Sequence, residues 1–178
     1  MNGKSVGKRA AREKAREIFQ EYKANGGSVP IDVDRLIEKN GIKLVSFDER
    51  RSSLAGMLLV DRDNVIIVVN ANTSQKRQRF TKAHELGHYL LHKNPDDPIF
   101  HRDERSSQGT DRVEIDANTF AAELLMPAEE VRTRAATVNV DLFVDNIVEE
   151  LAEEFDVSLQ AMSIRLQQLK IIDLEANW

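Results

Sequence analysis

The stretch RFTKAHELGHYLLH, residues 79–92, constrains this chain more than any other. It holds His84-Glu85-Leu86-Gly87-His88, the HExxH spacing in which two imidazoles grip a zinc ion and the intervening glutamate works on a bound water. That spacing serves the chemistry only on a helix, where a step of about 100° per residue sets His84 and His88 one turn apart on a single face. Glu85 then lies beside the cation without ligating it. Phe80, Ala83, Gly87, Leu90 and Leu91 recur at three- and four-residue intervals, which predicts a buried stripe next to the histidines. Gly87 is a poor helix former and points to the close approach of a neighbouring backbone.

A site of this kind needs a third protein ligand and an open position for water, and a glutamate from another helix is a common third. The chain has no cysteine, so the ligands must be nitrogen and oxygen, and zinc-finger sites and disulfide frameworks are excluded. The segment EIDANTFAAELLMP, residues 114–127, has the stripe of a helix in Ala117, Phe120, Ala121 and Leu124. Two acids there compete for the metal. Glu114 falls at the edge of the buried face, whereas Asp116 shares a stripe with Glu123 and is predicted to face water. The third ligand is therefore read as Glu114. Asn118, one turn along, is placed to hydrogen-bond a ligand and fix its orientation. His92 continues the histidine line by another turn, but it is two turns from His84 and a closed four-ligand site would be structural, so it is assigned to the outer shell or the core.

RFTKAHELGHYLLH followed by a polar loop and EIDANTFAAELLMP resembles the ImmA/IrrE family of metallo-endopeptidases, with weaker similarity over residues 29–171. The resemblance implies a gluzincin-like site with one zinc ion per chain: His84, His88 and Glu114 as metal ligands and Glu85 as general base. It also implies an endopeptidase whose substrate is a regulatory protein, a transcriptional repressor or an antitoxin-like regulator. Members of that family often carry a glycine where this chain has Lys170, so the helix end there is expected to differ. Two other readings compete: a metal-containing regulator that binds its partner without cutting it, and a DNA-binding regulator.

Around these blocks, the 178 residues have the 41% hydrophobic and 31% charged content of a globular protein. The expected fold class is α+β: a small, mainly antiparallel sheet packed on the HExxH helix, with a C-terminal helical part resembling a helix-turn-helix. Residues 42–47, 54–60 and 65–70 read as strands, and Asp61-Arg62-Asp63-Asn64 as a hairpin turn. An edge strand near the site would suit an extended peptide by strand addition. Residues 1–7 are taken as a frayed lead-in, 8–136 as the metallopeptidase core and 137–178 as a C-terminal helical subdomain packed on it. Lys76, Arg77 and Arg79 read as a solvated first turn, although they could select an acidic substrate. Residues 93–111 form a long loop with Phe100 and His101 as its anchors, a lid in some proteins and disordered in others.

No run approaches the roughly 18 apolar residues of a membrane span, and the N-terminus lacks the apolar stretch of a signal peptide, so a cytoplasmic protein is expected. The net charge of −5 argues against broad nucleic-acid binding. So does the C-terminal stretch: residues 141–178 carry nine acids against Arg165 and Lys170, a net −7 that would repel phosphates.

Overall fold

In the computed structural model, residues 5–50, 54–61, 64–92, 100–102, 112–137 and 144–172 are described. The chain opens with α1 (Lys8–Ala24) and α2 (Val33–Lys39), then β1 (Lys43–Phe47), β2 (Gly56–Asp61) and β3 (Asn64–Asn70). Next come α3 (Gln75–His92), β4 (Phe100–Arg102), α4 (Arg112–Leu125) and α5 (Ala128–Ala135), and finally α6 (Val144–Glu154) and α7 (Leu159–Gln168). The class is α+β, as expected.

The sheet runs in the order β1-β3-β2-β4. β2 pairs antiparallel with both β3 and β4, while β1 pairs parallel with β3, so the sheet is mixed with antiparallel pairs in the majority. The hairpin register sets Asp61 opposite Asn64; Arg62 and Asp63 of the expected turn lie outside the described residues. Alternation does its ordinary work here. Leu58 and Val60 on β2 and Val65, Ile67 and Val69 on β3 are buried, and their neighbours Leu59, Ile66 and Val68 are half-buried. Burying each such side chain stabilises by about 1.5–3 kcal/mol.

α3 lies against this sheet and against α4. Two glycines permit the closeness. A Cβ on Gly56 would stand 2.4 Å from Thr81 Cγ2, so the Thr81 side chain of α3 packs directly on the backbone of β2. A Cβ on Gly87 would stand 2.9 Å from the Phe120 ring and 3.4 Å from Ala117 Cα, so the approaching backbone anticipated at Gly87 is that of α4. Covered on both sides, α3 is buried continuously from Ala83 to His88 rather than along one stripe. α3 and α4 run antiparallel, since His88 meets Glu114 while His84, a turn earlier, meets Asn118, a turn later.

α4 departs from the predicted phase. Asp116 and Glu123, expected to face water, are both buried, because α1 covers the face of α4 away from α3. Asp116 Oδ2 accepts hydrogen bonds from Ser5 Oγ at 2.7 Å, Val6 N at 2.8 Å and Gly7 N at 3.0 Å. Residues 5–7 are thus tied to α4, which differs from the frayed lead-in expected of them. Glu123 accepts from Arg16 Nε on α1 at 2.8 Å and from Arg165 Nη2 on α7 at 2.5 Å. Arg165 Nε also donates to Met126 O at 2.9 Å.

Arg79 is a second correction. It is no solvated first-turn residue: its guanidinium donates to the carbonyls of Phe155 and Asp156 at 3.0 Å and of Ile31 at 2.7 Å. Between them, Arg79 and Arg165 fasten α6 and α7 to the core. Ser158 caps α7 through Ala161 N at 3.1 Å, as its sequence position suggests. At the far end of α7, Lys170 adopts φ 57°, the left-handed conformation that glycine favours. Among the described residues no helix is long and apolar enough to cross a membrane. The loop expected at 93–111 lies outside the described residues except for β4, and so do the side chains proposed as its anchors.

Candidate metal centre

His84 and His88 leave α3 on the same face, as the one-turn spacing requires, and Glu114 comes to meet them from the first turn of α4. The Nε2 atoms of the two rings are 2.9 Å apart. Glu114 Oε2 lies 3.2 Å from His84 Nε2, and its Oε1 lies 3.3 Å from His88 Nε2. Ligand atoms held at about 2.0–2.1 Å from a tetrahedral ion stand roughly 3.3 Å from one another. The carboxylate separations match that value and the imidazole pair is slightly closer. His84, His88 and Glu114 thus offer three ligand atoms that all lie within 4.8 Å of one another.

Proton positions point the same way. His84 Nδ1 lies 3.0 Å from Asn118 Oδ1, an amide oxygen that only accepts, so His84 carries its proton on Nδ1. In the neutral ring Nε2 then presents a lone pair to the centre of the cluster. Two protonated Nε2 atoms could not face one another across 2.9 Å. Burial pushes the Glu114 carboxyl up, and when His84 and His88 are protonated their hydrogen bonds and charge pull it down further, below the usual carboxylate range. A carboxylate facing two imidazoles, with a lone pair turned inward, fits a divalent cation.

Both histidines are almost fully buried, whereas the Glu114 side chain keeps 19% of its surface exposed, which leaves solvent a way in. Glu85 is 1% exposed, next to His84 on α3. Asn118, one turn along α4 from Glu114, meets His84 on the side of Nδ1. His92 is buried with its ring centroid 5.6 Å from that of His88, and its Nε2 lies 3.7 Å from Asp116 Oδ2, outside the converging three. Phe80, one turn before His84, stacks toward its ring with centroids 6.4 Å apart and planes inclined by 29°. What sequence reasoning missed is Asp116. No local signal marks it, because its partners Ser5, Val6 and Gly7 come from the other end of the chain.

The family model described as IrrE N-terminal-like domain, Peptidase_M78, matches residues 37–167. An "uncharacterized immunity region protein 2" of Bacillus phage phi105 is 33% identical over 108 residues, covering 59% of this chain and 67% of that protein. The "radiation response metalloprotease IrrE" of Deinococcus deserti is 40% identical over 70 residues, 39% of this chain and 25% of that protein. The chain therefore spans about two thirds of the phage protein and a quarter of the Deinococcus one. With a family model covering most of its length and both signature blocks in place, the chain belongs to the ImmA/IrrE family, Peptidase_M78.

Proposed function

We propose that this chain is a zinc-dependent, cytoplasmic endopeptidase that cuts a regulatory protein, a repressor or an antitoxin-like partner. The observation that carries this reading is the meeting of His84, His88 and Glu114 from two helices, with His84 oriented by Asn118. Family membership and the phage relative, named for an immunity region, support a regulator as substrate.

In this mechanism His84, His88 and Glu114 would hold the metal. A zinc ion bound there would supply a water acidified toward neutrality and a Lewis acid for a carbonyl. Glu85 accepts the proton of the attacking water as general base and then gives it to the leaving amine. Asn118 keeps the His84 ring in the tautomer whose Nε2 faces inward. The buried surroundings of Glu85 exclude bulk water from its carboxylate, which keeps the proton transfer local.

Direct DNA binding through α7 is disfavoured by a specific pairing. Of the two basic residues in the last stretch, Arg165 is buried against Glu123, which leaves Lys170 alone to meet phosphate.

The test is to incubate the full chain with the regulator encoded beside its gene, with and without a chelator. A discrete cut is expected, abolished by chelation and by Glu85→Gln, whose cleavage rate should fall by about 10²–10⁴-fold at unchanged metal content. Undiminished cleavage by Glu85→Gln sinks the mechanism. Stable association with the regulator, metal present and no cut, favours the non-proteolytic reading instead.

A further inference from the structure

Beside the candidate metal centre lies a cleft of about 540 Å³ between α3, the second half of α4 and α7. Two neighbours of His84 also line it: Asn118, which accepts from Nδ1, and Phe80, whose ring stacks toward that of His84 at an inclination of 29°. The cleft and the centre therefore share walls. Ala122, Leu125 and Met126 continue the lining along α4, and Ile164 of α7, 46% exposed, adds apolar surface that the fold leaves in water. Ser74, Lys76 and Arg77 belong to the same lining at the start of α3.

Among the described residues, two of the charges at that end have no ion-pair partner. Of the cations on α3, Arg79 holds three carbonyls and Lys82 pairs with Asp34 at 2.7 Å. Lys76 and Arg77 are exposed, and neither has a carboxylate partner among the described residues. The first turn of α3 contains no acid, so two like charges there work against helix stability. Unpaired cations beside an exposed isoleucine, next to a site that would cut a protein chain, suit a segment that is both apolar and acidic.

We propose that this cleft is the substrate-docking subsite: it takes apolar side chains of the substrate on one side of the scissile bond, while an adjacent Asp or Glu of the substrate meets Lys76 and Arg77. This rests on the endopeptidase reading above, and the test separates the two. The zinc-loaded Glu85→Gln chain, labelled with ¹⁵N, is titrated with a pool of short blocked peptides alternating Leu, Ile, Met or Phe with Asp or Glu. A matched pool replaces the acids by Lys or Arg. The acidic pool should shift the amides of Lys76, Arg77, Phe80 and Ile164, more weakly at high salt. Affinity should be about tenfold lower or worse for the basic pool, for the Lys76→Glu/Arg77→Glu double variant and for Ile164→Asp.

Absent shifts at these amides, equal response to both pools, or shifts confined to β1 and β4, as strand addition would give, each overturn the proposal. In cleavage of the regulator by the otherwise unaltered chain, the double charge variant should raise KM about tenfold with kcat nearly unchanged. If the regulator is cut and that KM does not move, the subsite alone fails. If the acidic pool docks and no regulator is cut, the endopeptidase reading fails while the docking surface stands.

Discussion

α4 carries a glutamate near each end, and the two have opposite surroundings. At the C-terminal end Glu123 meets two guanidiniums, Arg165 at 2.5 Å and Arg16 at 2.8 Å, so its charge is balanced within the protein. At the N-terminal end Glu114 meets two imidazoles, one of which is turned to present a lone pair. Burial raises the proton affinity of both carboxyls; two guanidiniums more than reverse it at Glu123, whereas at Glu114 only protonated imidazoles do so. The difference is what supplies the positive charge. Glu123 is a staple that joins α1, α4 and α7. Glu114 is one wall of a cluster whose balance calls for a cation from outside.

The largest contrast comes from truncating each in turn. Glu123→Ala strands Arg165 in the interior, and losing one partner of a buried pair costs about 3–5 kcal/mol. Glu114→Ala strands no fixed cation. It should leave the metal-free chain near its original stability while abolishing the rise in Tm on adding zinc, both read by thermal denaturation. The double change Glu123→Met with Arg165→Met should recover most of the loss, because apolar residues of similar volume often replace buried pairs without penalty. Equal destabilisation by the two alanine variants would erase the distinction between staple and site.

Acid sharpens the same contrast. The folded-state value of Glu123 is depressed, so its contribution is fully present above the ordinary value of about 4.5 and is lost as pH falls through the lower folded one. The stability gap between the parent chain and Glu123→Gln should therefore stay constant from neutrality down to that ordinary value and close below it, as followed by urea unfolding at stepped pH.

Asn118→Ala is the next smaller effect, confined to the site end. Removing the acceptor for His84 Nδ1 frees the ring to change tautomer, and loss of such an outer-shell partner lowers metal affinity by about 10–100-fold. Competition with a chromogenic chelator measures this, with little change expected in the metal-free Tm. Gly87→Ala tests the approach of α3 to α4 that brings the ligands together. Its methyl would have to displace the Phe120 ring, at a cost of about 1–3 kcal/mol.

Spacing and phase made the site end legible in the sequence. HExxH sets two histidines and a glutamate on one helix, and counting turns along α4 selects Glu114 and then Asn118, both of which the fold sets beside the histidines. The staple end was illegible for a physical reason. Phase arguments presume a helix with one wet face, and α4 has none at Asp116 and Glu123 because α1 lies over them. Their partners at the start of the chain, Ser5 and Arg16, sit more than a hundred residues away, a separation that carries no periodic signal. Arg79 was misread likewise, since the carbonyls it serves belong to turns that only tertiary packing brings near. The parallel pairing of β1 with β3 was equally hidden, because alternation reports which face is buried and not strand direction.

The smallest effect is the one that separates the rival acids of α4. Asp116 lies two residues from Glu114, yet its Oδ2 serves residues 5–7 and stands 3.7 Å from His92, not in the converging three. Asp116→Asn keeps an acceptor oxygen in place and removes its charge. It should weaken those bonds and cost about 0.5–1.5 kcal/mol, with the proton exchange of the Val6 and Gly7 amides accelerated. Metal stoichiometry should remain at one ion per chain, whereas Glu114→Gln, equally conservative in shape, should reduce it. Loss of metal from the Asp116 variant with retention in the Glu114 variant would transfer the third ligand to the neighbouring turn position. The contrast between the two ends of α4 would then have to be redrawn around Asp116.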